Sequence, residues 1–299
     1  MDAQKLVDGF EVAEGIVYTP EGNLLFSDIN ADTMYQLLFP SQEKVVFRQP
    51  SHHANGNAYD LQGRLLTCSH DSEALLRSAD RGILRTEADG QVTVLASHYQ
   101  GKRLNSPNDL TVRRSDGSIY FTDPGYGLAP PQGTEKRQSE LGFFGVYRLA
   151  PDSTLTLLEK DFEAPNGIVF SPYEQRLYVS DTKRGDIRVF DVRPDGRLES
   201  GRLFAQESGF SEEEGQPDGL IVDVHGNIYC SGPGGVLMFS SQGEQLETIQ
   251  IPEVVTNMTW GGSDLKTLYI TGRSSIYAIQ RPVGGLPAGN RAIASQPTS

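Results

Sequence analysis

The stretch Asn166-Gly-Ile-Val-Phe, followed after a polar turn by Arg176-Leu-Tyr-Val-Ser-Asp181, contains the pattern from which the whole chain is built. Two apolar runs of similar length flank a short polar turn, which is typical of two antiparallel β-strands joined by a tight connection. The pattern returns five more times along the 299 residues, at intervals of 39 to 58 residues. Every copy opens on a side chain that carries an amide or carboxylate oxygen. These opening residues are Glu14, Asn55, Asn108, Asn166, Asp218 and Asn257.

Repeats of this length predict a propeller or a solenoid. Four strand-like runs can be identified per repeat, for example at 15–18, 23–27, 34–39 and 44–48 in the first and at 167–170, 176–180, 187–192 and 202–205 in the fourth. Four antiparallel strands in each of six repeats predict an all-β, six-bladed β-propeller. The sixth repeat offers only three strands, so residues 6–12 are expected to supply the fourth and close the ring. The predicted propeller is a single domain covering residues 1–281, and residues 282–299 are expected to form a flexible tail.

The composition narrows the possible partners. A net charge of −13 disfavours nucleic acid and anionic membranes, which both attract basic surfaces. No run approaches the roughly 18 apolar residues of a membrane span, and the first residues lack the apolar core of a signal peptide, so a cytoplasmic location is expected. Cys68 and Cys230 lie inside apolar strand-like runs and are expected to be buried free thiols.

Connection lengths indicate which face of the propeller carries the site. Turns such as 20–23 and 115–117 are short, whereas the connections at 71–81, 97–107, 124–142 and 206–217 are long. Because successive strands alternate in direction, the long connections and the opening residues of the repeats lie on the same face. Functional residues concentrate on long loops held by a rigid scaffold. The six opening residues, called the ring residues below, are therefore expected to converge at the mouth of a central channel on this face.

The chemistry of the ring residues favours a hard metal ion. Two carboxylates and two amide carbonyls would suit Ca²⁺ or Mg²⁺ better than zinc or copper, and would leave positions open for water and substrate. The alternative is that these side chains only cap the starts of their strands. The expected metal ligands are Glu14, Asn108, Asn166 and Asp218, with Asn55 and Asn257 either lining the pocket or supporting the ligands.

Several further residues are candidates for substrate contact. Asp28, Asp123 and Asp181 each end a second strand on the face that carries the site. There a carboxylate can hold the neighbouring turn, and Asp123 is in addition a candidate to contact substrate or to support a residue that does. Histidines 52, 53, 70 and 98 fall in loops of this face, and His70 is included among the substrate-binding candidates together with Arg103.

Five segments are similar to the gluconolactonase, regucalcin (SMP-30) and luciferin-regenerating-enzyme family, most of all to its bacterial gluconolactonase branch. They are Phe10-Glu-Val-Ala-Glu14-Gly, Leu104-Asn-Ser-Pro-Asn108-Asp-Leu, Gly117-Ser-Ile-Tyr-Phe-Thr-Asp123-Pro-Gly-Tyr-Gly, Ala164-Pro-Asn166-Gly-Ile and Gln216-Pro-Asp218-Gly-Leu. The resemblance implies a six-bladed propeller with a divalent metal in its channel. It also implies that Glu14, Asn166 and Asp218 are metal ligands, that Asn108 touches metal or substrate, and that Asp218 is the acid/base.

Two departures from the family bear on the substrate rim. Gly125-Tyr126 stands where the branch commonly has two prolines or an aromatic residue after proline. The substrate-contacting arginine of the animal members is replaced by Ser106, and Arg103 lies nearby as a possible substitute.

The resemblance implies a metal-dependent hydrolase that opens a sugar lactone such as glucono-1,5-lactone. Ca²⁺ is the expected cofactor, with Mg²⁺, Mn²⁺ and Zn²⁺ as alternatives, and Asp218 is the expected base, with Asp123, His70 or a second water as alternatives. The same site could instead cleave phosphotriesters or other lactone esters, or the propeller could be a non-catalytic calcium-binding or interaction module. The expected partners are a small sugar lactone and a divalent metal, and the expected assembly is a monomer or weak homodimer.

Overall fold

The computed structural model describes residues 2–70, 81–128, 138–206 and 209–286. Six four-stranded antiparallel sheets occur in this part of the chain; five are meanders of consecutive strands, and the sixth combines three consecutive strands with the first strand of the chain. The first strand of every blade contacts the first strands of both neighbouring blades, so that six strands surround a central channel. The six-bladed β-propeller predicted from the repeats is therefore confirmed. None of the helices in the described parts of the chain is long and apolar enough to cross a membrane.

The strands are numbered in chain order, and those of each blade run from the channel outwards. Blade 1 contains β2 (Ala13–Tyr18), β3 (Leu24–Asp28), β4 (Thr33–Leu38) and β5 (Glu43–Arg48). Blade 2 contains β6 (Ala54–Tyr59), β7 (Leu65–Ser69), β8 (Gly82–Thr86) and β9 (Val92–Ala96). A hairpin of β10 (His98–Tyr99) and β11 (Lys102–Arg103) precedes blade 3, which contains β12 (Leu110–Val112), β13 (Ile119–Asp123), β14 (Gly145–Leu149) and β15 (Leu155–Glu159).

The second half of the chain repeats this plan. Blade 4 contains β16 (Pro165–Phe170), β17 (Arg176–Asp181), β18 (Asp186–Val192) and β19 (Leu198–Gln206). Blade 5 contains β20 (Leu220–Val222), β21 (Ile228–Gly232), β22 (Gly235–Phe239) and β23 (Gln245–Gln250). Blade 6 contains β24 (Val255–Gly261), β25 (Thr267–Gly272), β26 (Ser275–Gln280) and, as its outer strand, β1 (Gln4–Asp8).

The N-terminal strand closes the ring as expected, but it lies earlier in the sequence than residues 6–12. Strand β1 pairs antiparallel with β26, with Gln4 opposite Ala278. It ends at Asp8 because Gly9 has a φ of 91°, and the N–H groups of Gly9 and Phe10 both turn to the carbonyl of Ser274. The apolar residues that follow therefore connect β1 to blade 1 and do not extend the strand.

The expected tail is packed for its first residues. The carbonyl of Gly284 accepts a hydrogen bond from the N–H of Val224, and Gly285 N–H donates to the carbonyl of Leu265. Leu286 packs against the apolar cluster between blades 4 and 5. Residues 282–286 thus lie across the turns of blades 5 and 6, and residues 287–299 fall outside the described part of the chain.

The core lies between the faces of neighbouring blades. Tyr229 of blade 5 packs edge-on against Trp260 of blade 6 with ring centroids 5.2 Å apart, and both belong to one buried cluster. A second cluster joins blade 2 to blade 3 and includes Cys68. Cys68 and Cys230 are buried free thiols, which confirms the prediction for both.

Neighbouring blades approach so closely at the ring that a side chain does not fit. A glycine follows the ring residue in four of the six repeats. The N–H of Gly56 donates to the carbonyl of Asn108, and the N–H of Gly167 donates to the carbonyl of Asp218, at 2.9 and 3.1 Å. A Cβ on Gly15 would lie 1.9 Å from the carbonyl oxygen of Asn55, and Gly15 also has a φ of 55°. Glycine is therefore required at this position by both space and backbone conformation.

Replacing Gly15 by alanine is expected to lower the free energy of unfolding by about 3–5 kcal/mol, because the methyl group overlaps the next blade and the left-handed backbone is strained. Gly63→Ala is the matched control, since Gly63 has a φ of 77° but no atom within 4 Å of the position that an added methyl group would take. The control should cost only about 1 kcal/mol. Equilibrium urea unfolding measures both, and equal losses would show that the approach of the blades is not the cause.

Candidate active site at the channel mouth

The ring residues lie where the connection from the preceding blade enters the first strand. Glu14, Asn55, Asn166 and Asn257 are inside first strands, whereas Asn108 and Asp218 lie two residues before theirs. In β2, β6, β16 and β24 the pairing register shifts next to the ring residue. Such β-bulges re-aim a side chain relative to a regular strand. All six side chains are buried except that of Asp218, which is partly exposed.

A Ser-Asp or Thr-Asp pair at the end of the second strand holds the ring in three blades. The hydroxyl groups of Ser27, Thr122 and Ser180 donate to the backbone carbonyls of the ring residues of the next blade, at 2.7–2.8 Å. The aspartate that comes directly after each of these hydroxyl residues accepts hydrogen bonds from two backbone N–H groups. These N–H groups belong to the residues two and three positions before the ring residue of the same blade. These aspartates are Asp28, Asp123 and Asp181.

Asp123 therefore lies behind the site and does not line it. Its carboxylate accepts the N–H groups of Asn105 and Ser106 and the amide of Asn105, at 2.8–2.9 Å, and the residue has no exposed surface. Burial raises the pKa of Asp123 to about 7, against the opposing effect of these donors and of the Arg81 charge. Asp123 thus supports the segment that leads to Asn108, in the same way as Asp28 and Asp181 support theirs.

Three acidic side chains from three blades influence one another in the channel. Burial raises the pKa of Glu14 to about 7, and the charge of Asp109 adds to the shift. The pKa of Asp218 is raised well above its usual value by burial, then by the charges of Glu14 and Asp109. Burial likewise raises the pKa of Asp109 to about 7. The mouth of the channel is thus a strongly negative site in which ionised carboxylates repel one another.

Asp109 is a site residue that the repeat pattern did not identify. It occupies the position that is glycine in four repeats, and its Oδ1 lies 2.6 Å from the point that a Cβ on Gly56 would take. Its Oδ1 accepts the N–H of Leu110 at 2.9 Å. The signal was present in the sequence, because an aspartate at a position that otherwise requires glycine departs from the structural pattern.

Amide groups orient the carboxylates of the ring. Asn257 donates from Nδ2 to Oε2 of Glu14 at 3.2 Å and accepts the N–H of Met258 at 2.7 Å. Gly15 N–H donates to the same Oε2 at 2.8 Å. Asn257, expected to line the pocket, therefore also fixes the orientation of Glu14.

The histidine of the predicted substrate set reaches the ring. Nε2 of His70 lies 3.2 Å from Nδ2 of Asn55. Burial and, to a smaller extent, the charge of His53 lower the pKa of His70 to about 4, so its ring is neutral near pH 7 and Nε2 can accept from the amide. The structure thus brings His70 and Asn55, two of the predicted substrate-binding residues, into contact.

Asn166 and Asn108 differ in their surroundings. Nδ2 of Asn166 donates to the Thr182 hydroxyl at 3.0 Å and to the Tyr126 hydroxyl at 3.4 Å, and the amide also lies against the Asp218 carboxylate. For Asn108 only backbone bonds are found within the described residues, from its N–H to the carbonyl of Thr122 and to its carbonyl from Gly56. The side-chain amide of Asn108 is therefore the one best placed to bind a ligand.

Arg103 is not brought to the ring. It lies in the exposed hairpin β10–β11, where its side chain is half exposed and pairs with Glu140 at 3.8 Å. The positive charge that acts on Asp218 is that of Arg273, in the exposed turn after β25. This turn comes from the sixth blade, and its proximity to Asp218 of the fifth could only be found from the closed ring.

The donor set fits a hard divalent cation. Glu14 and Asp218 supply carboxylate oxygens, Asn108 and Asn166 supply amides, and the mutual repulsion of the carboxylates would be relieved by a cation. No group of three or more His, Cys, Asp or Glu side chains close enough to hold an ion occurs in residues 2–70, 81–128, 138–206 and 209–286. A metal at this site would therefore depend on the amide oxygens.

A cavity of about 190 Å³ continues the channel below the ring. Asp109 and Asn257 line its upper end, and Glu174 and Leu286 line its opposite end. Its wall between these ends is mainly apolar, since it is formed by the inward side chains of the first strands. Polar chemistry is thus concentrated at the ring and at the loops above it.

Comparison with known proteins identifies the family of this chain. Residues 12–274 match the family model described as SMP-30/Gluconolactonase/LRE-like region. A gluconolactonase from Zymomonas mobilis is 33% identical over 91% of this chain and 79% of the relative. A solved gluconolactonase from Xanthomonas campestris is 37% identical, with a TM-score of 0.82 over 94% of this chain and 89% of that one.

A more distant structure shares the fold alone. It is regucalcin from Agrobacterium tumefaciens, described as a calcium-binding protein, with 20% identity and a TM-score of 0.78 over 97% of both chains. The match of the family model covers all six ring residues and the three bracing aspartates. The chain belongs to the SMP-30/gluconolactonase/LRE-like family.

Proposed function

We propose that this protein hydrolyses sugar lactones, with glucono-1,5-lactone as the representative substrate, and that a divalent cation at the channel mouth is required. The observation that carries the proposal is the pair of carboxylates Glu14 and Asp218. Their negative charges repel each other, and the amide of Asn166 lies beside Asp218. A site of this kind suits a cation that in turn binds a carbonyl oxygen. The gluconolactonase relatives at 33 and 37% identity support the same reaction.

The residues that would hold the cation come from four blades. They are Glu14, Asn108, Asn166 and Asp218. All are oxygen donors, which favours Ca²⁺, with Mg²⁺ and Mn²⁺ as alternatives and Zn²⁺ as the least suited. When bound, the cation would polarise the lactone carbonyl and stabilise the negative charge that develops on its oxygen. Asn257 and the N–H of Gly15 keep the Glu14 carboxylate oriented toward this position.

Asp218 is the best-placed base for the attacking water. It is the ring carboxylate with partial exposure, so water can reach it from the loop face. Asp123 is unsuitable because it is fully buried behind Asn105 and Ser106. His70 is a weak base with a pKa of about 4, and its Nε2 already faces Asn55. A bound cation lowers the pKa of a carboxyl group and makes it a poorer base. The charges of Glu14 and Asp109 raise the pKa of Asp218 and so act against this decrease.

Asn108, Asn55 and His70 would bind the substrate on the opposite side of the ring from Asp218. The Asn55–His70 pair offers an amide and an imidazole, and the amide of Asn108 offers both a donor and an acceptor. Polyhydroxylated lactones present hydroxyl groups that can pair with all three. The site would therefore select a lactone whose carbonyl group is accessible and whose ring carries several hydroxyl groups.

The test is metal restoration of lactonase activity. Protein treated with a chelator is supplied separately with Ca²⁺, Mg²⁺, Mn²⁺ or Zn²⁺, and acid release from glucono-1,5-lactone is followed in a pH-stat. At least tenfold restoration by Ca²⁺ is expected. Faster release from a nitrophenyl phosphotriester than from the lactone would assign the site to phosphoryl chemistry. No restoration by any of the four ions, together with retained ion binding, would identify a non-catalytic metal-binding propeller.

A further inference from the structure

One aromatic side chain reaches from the loop surface to the ring. Tyr126 begins the 3-10 helix Tyr126–Leu128, in the connection that follows β13. The residue is 37% exposed, yet its hydroxyl lies 3.4 Å from Nδ2 of Asn166 and also next to the hydroxyl of Thr182. The side chain therefore spans the distance between solvent and a predicted metal ligand.

The backbone around Tyr126 is held firmly. Gly127 N–H donates to the hydroxyl of Ser106 at 2.9 Å, and this hydroxyl donates to the carbonyl of Pro124 at 3.0 Å. Gly125 packs so closely on Phe144 that a Cβ would lie 2.7 Å from its ring. The turn is thus anchored on the connection that leads to Asn108, and Tyr126 is presented by a fixed scaffold.

The position of the hydroxyl decides what it can touch. A ligand bound at Asn166 and Asp218 must lie within a few ångströms of the Tyr126 hydroxyl, because that hydroxyl already contacts the Asn166 amide. The phenol can donate one hydrogen bond, and the exposed face of the ring can pack against the C–H groups of a sugar. The proposed cation would bind the lactone carbonyl oxygen, which leaves the phenol to donate its hydrogen bond to a ring hydroxyl group.

We propose that Tyr126 contacts the substrate and selects polyhydroxylated lactones over unsubstituted ones by donating a hydrogen bond to a ring hydroxyl. This inference rests on the proposed lactonase function and extends it to substrate choice. A site that hydrogen-bonds a substrate hydroxyl discriminates against analogues that lack it, because its own polar group is then left unpaired. The competing role for Tyr126 is to orient Asn166 only.

The experiment compares Tyr126→Phe with the wild-type protein, both loaded with metal. For glucono-1,5-lactone, kcat/KM should fall about tenfold, mainly through KM, whereas for unsubstituted δ-valerolactone it should change less than twofold. Binding is measured in parallel by calorimetry with the matching lactams, which are not hydrolysed. The polyhydroxylated lactam should bind about tenfold more weakly to the variant, and δ-valerolactam should be unaffected.

Thr182→Val separates the two roles, because Thr182 contacts the same Asn166 amide at 3.0 Å but is buried. It should lower kcat/KM for both lactones alike and weaken metal retention. The same signature in Tyr126→Phe, or no change for either lactone, would overturn the substrate contact.

The calorimetric arm also distinguishes this inference from the proposed function. A wild-type protein that binds the polyhydroxylated lactam but hydrolyses neither lactone refutes the lactonase proposal, and the lactam contrast between wild type and Tyr126→Phe still decides the role of Tyr126. A wild-type protein that neither binds a lactam nor hydrolyses a lactone overturns both, whereas one that hydrolyses glucono-1,5-lactone without binding the lactams leaves the decision on Tyr126 to the kinetic comparison.

Discussion

Replacing Asp218 by asparagine is expected to lower lactone kcat/KM at least about 10³-fold and to weaken metal binding as well. The change preserves size and one acceptor oxygen but removes a negative charge. Asp218 interacts with Glu14 and Asp109 through its charge and with the Asn166 amide through a hydrogen bond, so loss of the charge alters the whole donor set. Metal content and turnover are measured on the same preparation.

The two roles of Asp218 separate when metal is supplied in excess. Activity that returns to the wild-type level at saturating Ca²⁺ would assign Asp218 to metal binding alone. Turnover that stays about 10³-fold low on fully loaded protein would assign it to proton transfer in addition, which is the result we expect. Wild-type activity without added metal would contradict both roles.

Asp223→Asn is the matched control for this substitution. Asp223 is a fully buried aspartate in the same blade, but at the opposite face, where its Oδ1 accepts the N–H groups of His225 and Asn227 at 2.9 Å. The control should lose about 1–2 kcal/mol of stability while retaining metal and activity. It therefore distinguishes loss of the site from loss of a buried carboxylate in general.

The structure explains why the repeat predicted the fold so well. The ring residues hold the blades together through their backbone, since the carbonyls of Asn55, Asn166 and Asp218 accept hydroxyl groups from the preceding blade. These bonds do not depend on which side chain the ring residue carries. The scaffold can therefore repeat while the side chains at the channel differ. For this reason both the repeated fold and the differences among the ring residues can be recognised in the amino-acid sequence.

The features that the sequence did not predict depend on contacts between blades or on how deeply a side chain is buried. Asp109 and Arg273 act on Asp218 from blades 3 and 6, and nothing local to either segment shows this proximity. For Asp123 both substrate contact and a supporting role were open, because alternation along a strand does not show whether a polar side chain is covered. Arg103 lies in a hairpin whose turn, at Gln100 and Gly101 with φ of 50° and 78°, carries it away into solvent.

The charge of Asp109 affects how the channel would bind a cation. Its carboxylate adds negative charge next to Glu14 and Asp218 without belonging to the predicted ligand set. Because ionised groups that share a buried site repel one another, a structure with this arrangement gains from a bound cation. If the proposed divalent ion binds at the ring, the charge of Asp109 would favour its binding, while Oδ1 also accepts the N–H of Leu110.

The stability of the metal-free protein is expected to fall as pH rises from about 4 to about 7. In that state Glu14 and Asp109 have pKa values raised to about 7 by burial, from 4.5 and 3.8 respectively. A carboxyl group with a raised folded-state pKa keeps its proton in the folded protein but loses it on unfolding. The folded state then binds more protons, so stability decreases with pH between the unfolded and folded pKa values.

The size of the effect makes it measurable. Each pKa unit corresponds to about 1.4 kcal/mol, so ionising Glu14 alone costs the metal-free protein about 3 kcal/mol by pH 8. A divalent cation stabilises the ionised carboxylates and must displace protons at lower pH. The difference in Tm between Ca²⁺-loaded and chelated protein should therefore grow from pH 5 to pH 8, as followed by thermal scanning at constant ionic strength.

Asp109→Asn identifies the carboxylates as the cause. The amide keeps an acceptor oxygen for the N–H of Leu110 but carries no charge, and it leaves Glu14 and Asp218 in place. Because the destabilising effect of the Asp109 carboxyl grows between its unfolded pKa of 3.8 and its folded pKa of about 7, the stability advantage of the chelated variant over the chelated wild type should be larger at pH 8 than at pH 5. A difference of the same size at both pH values would mean that packing, and not repulsion among the channel carboxylates, controls the stability of the metal-free propeller.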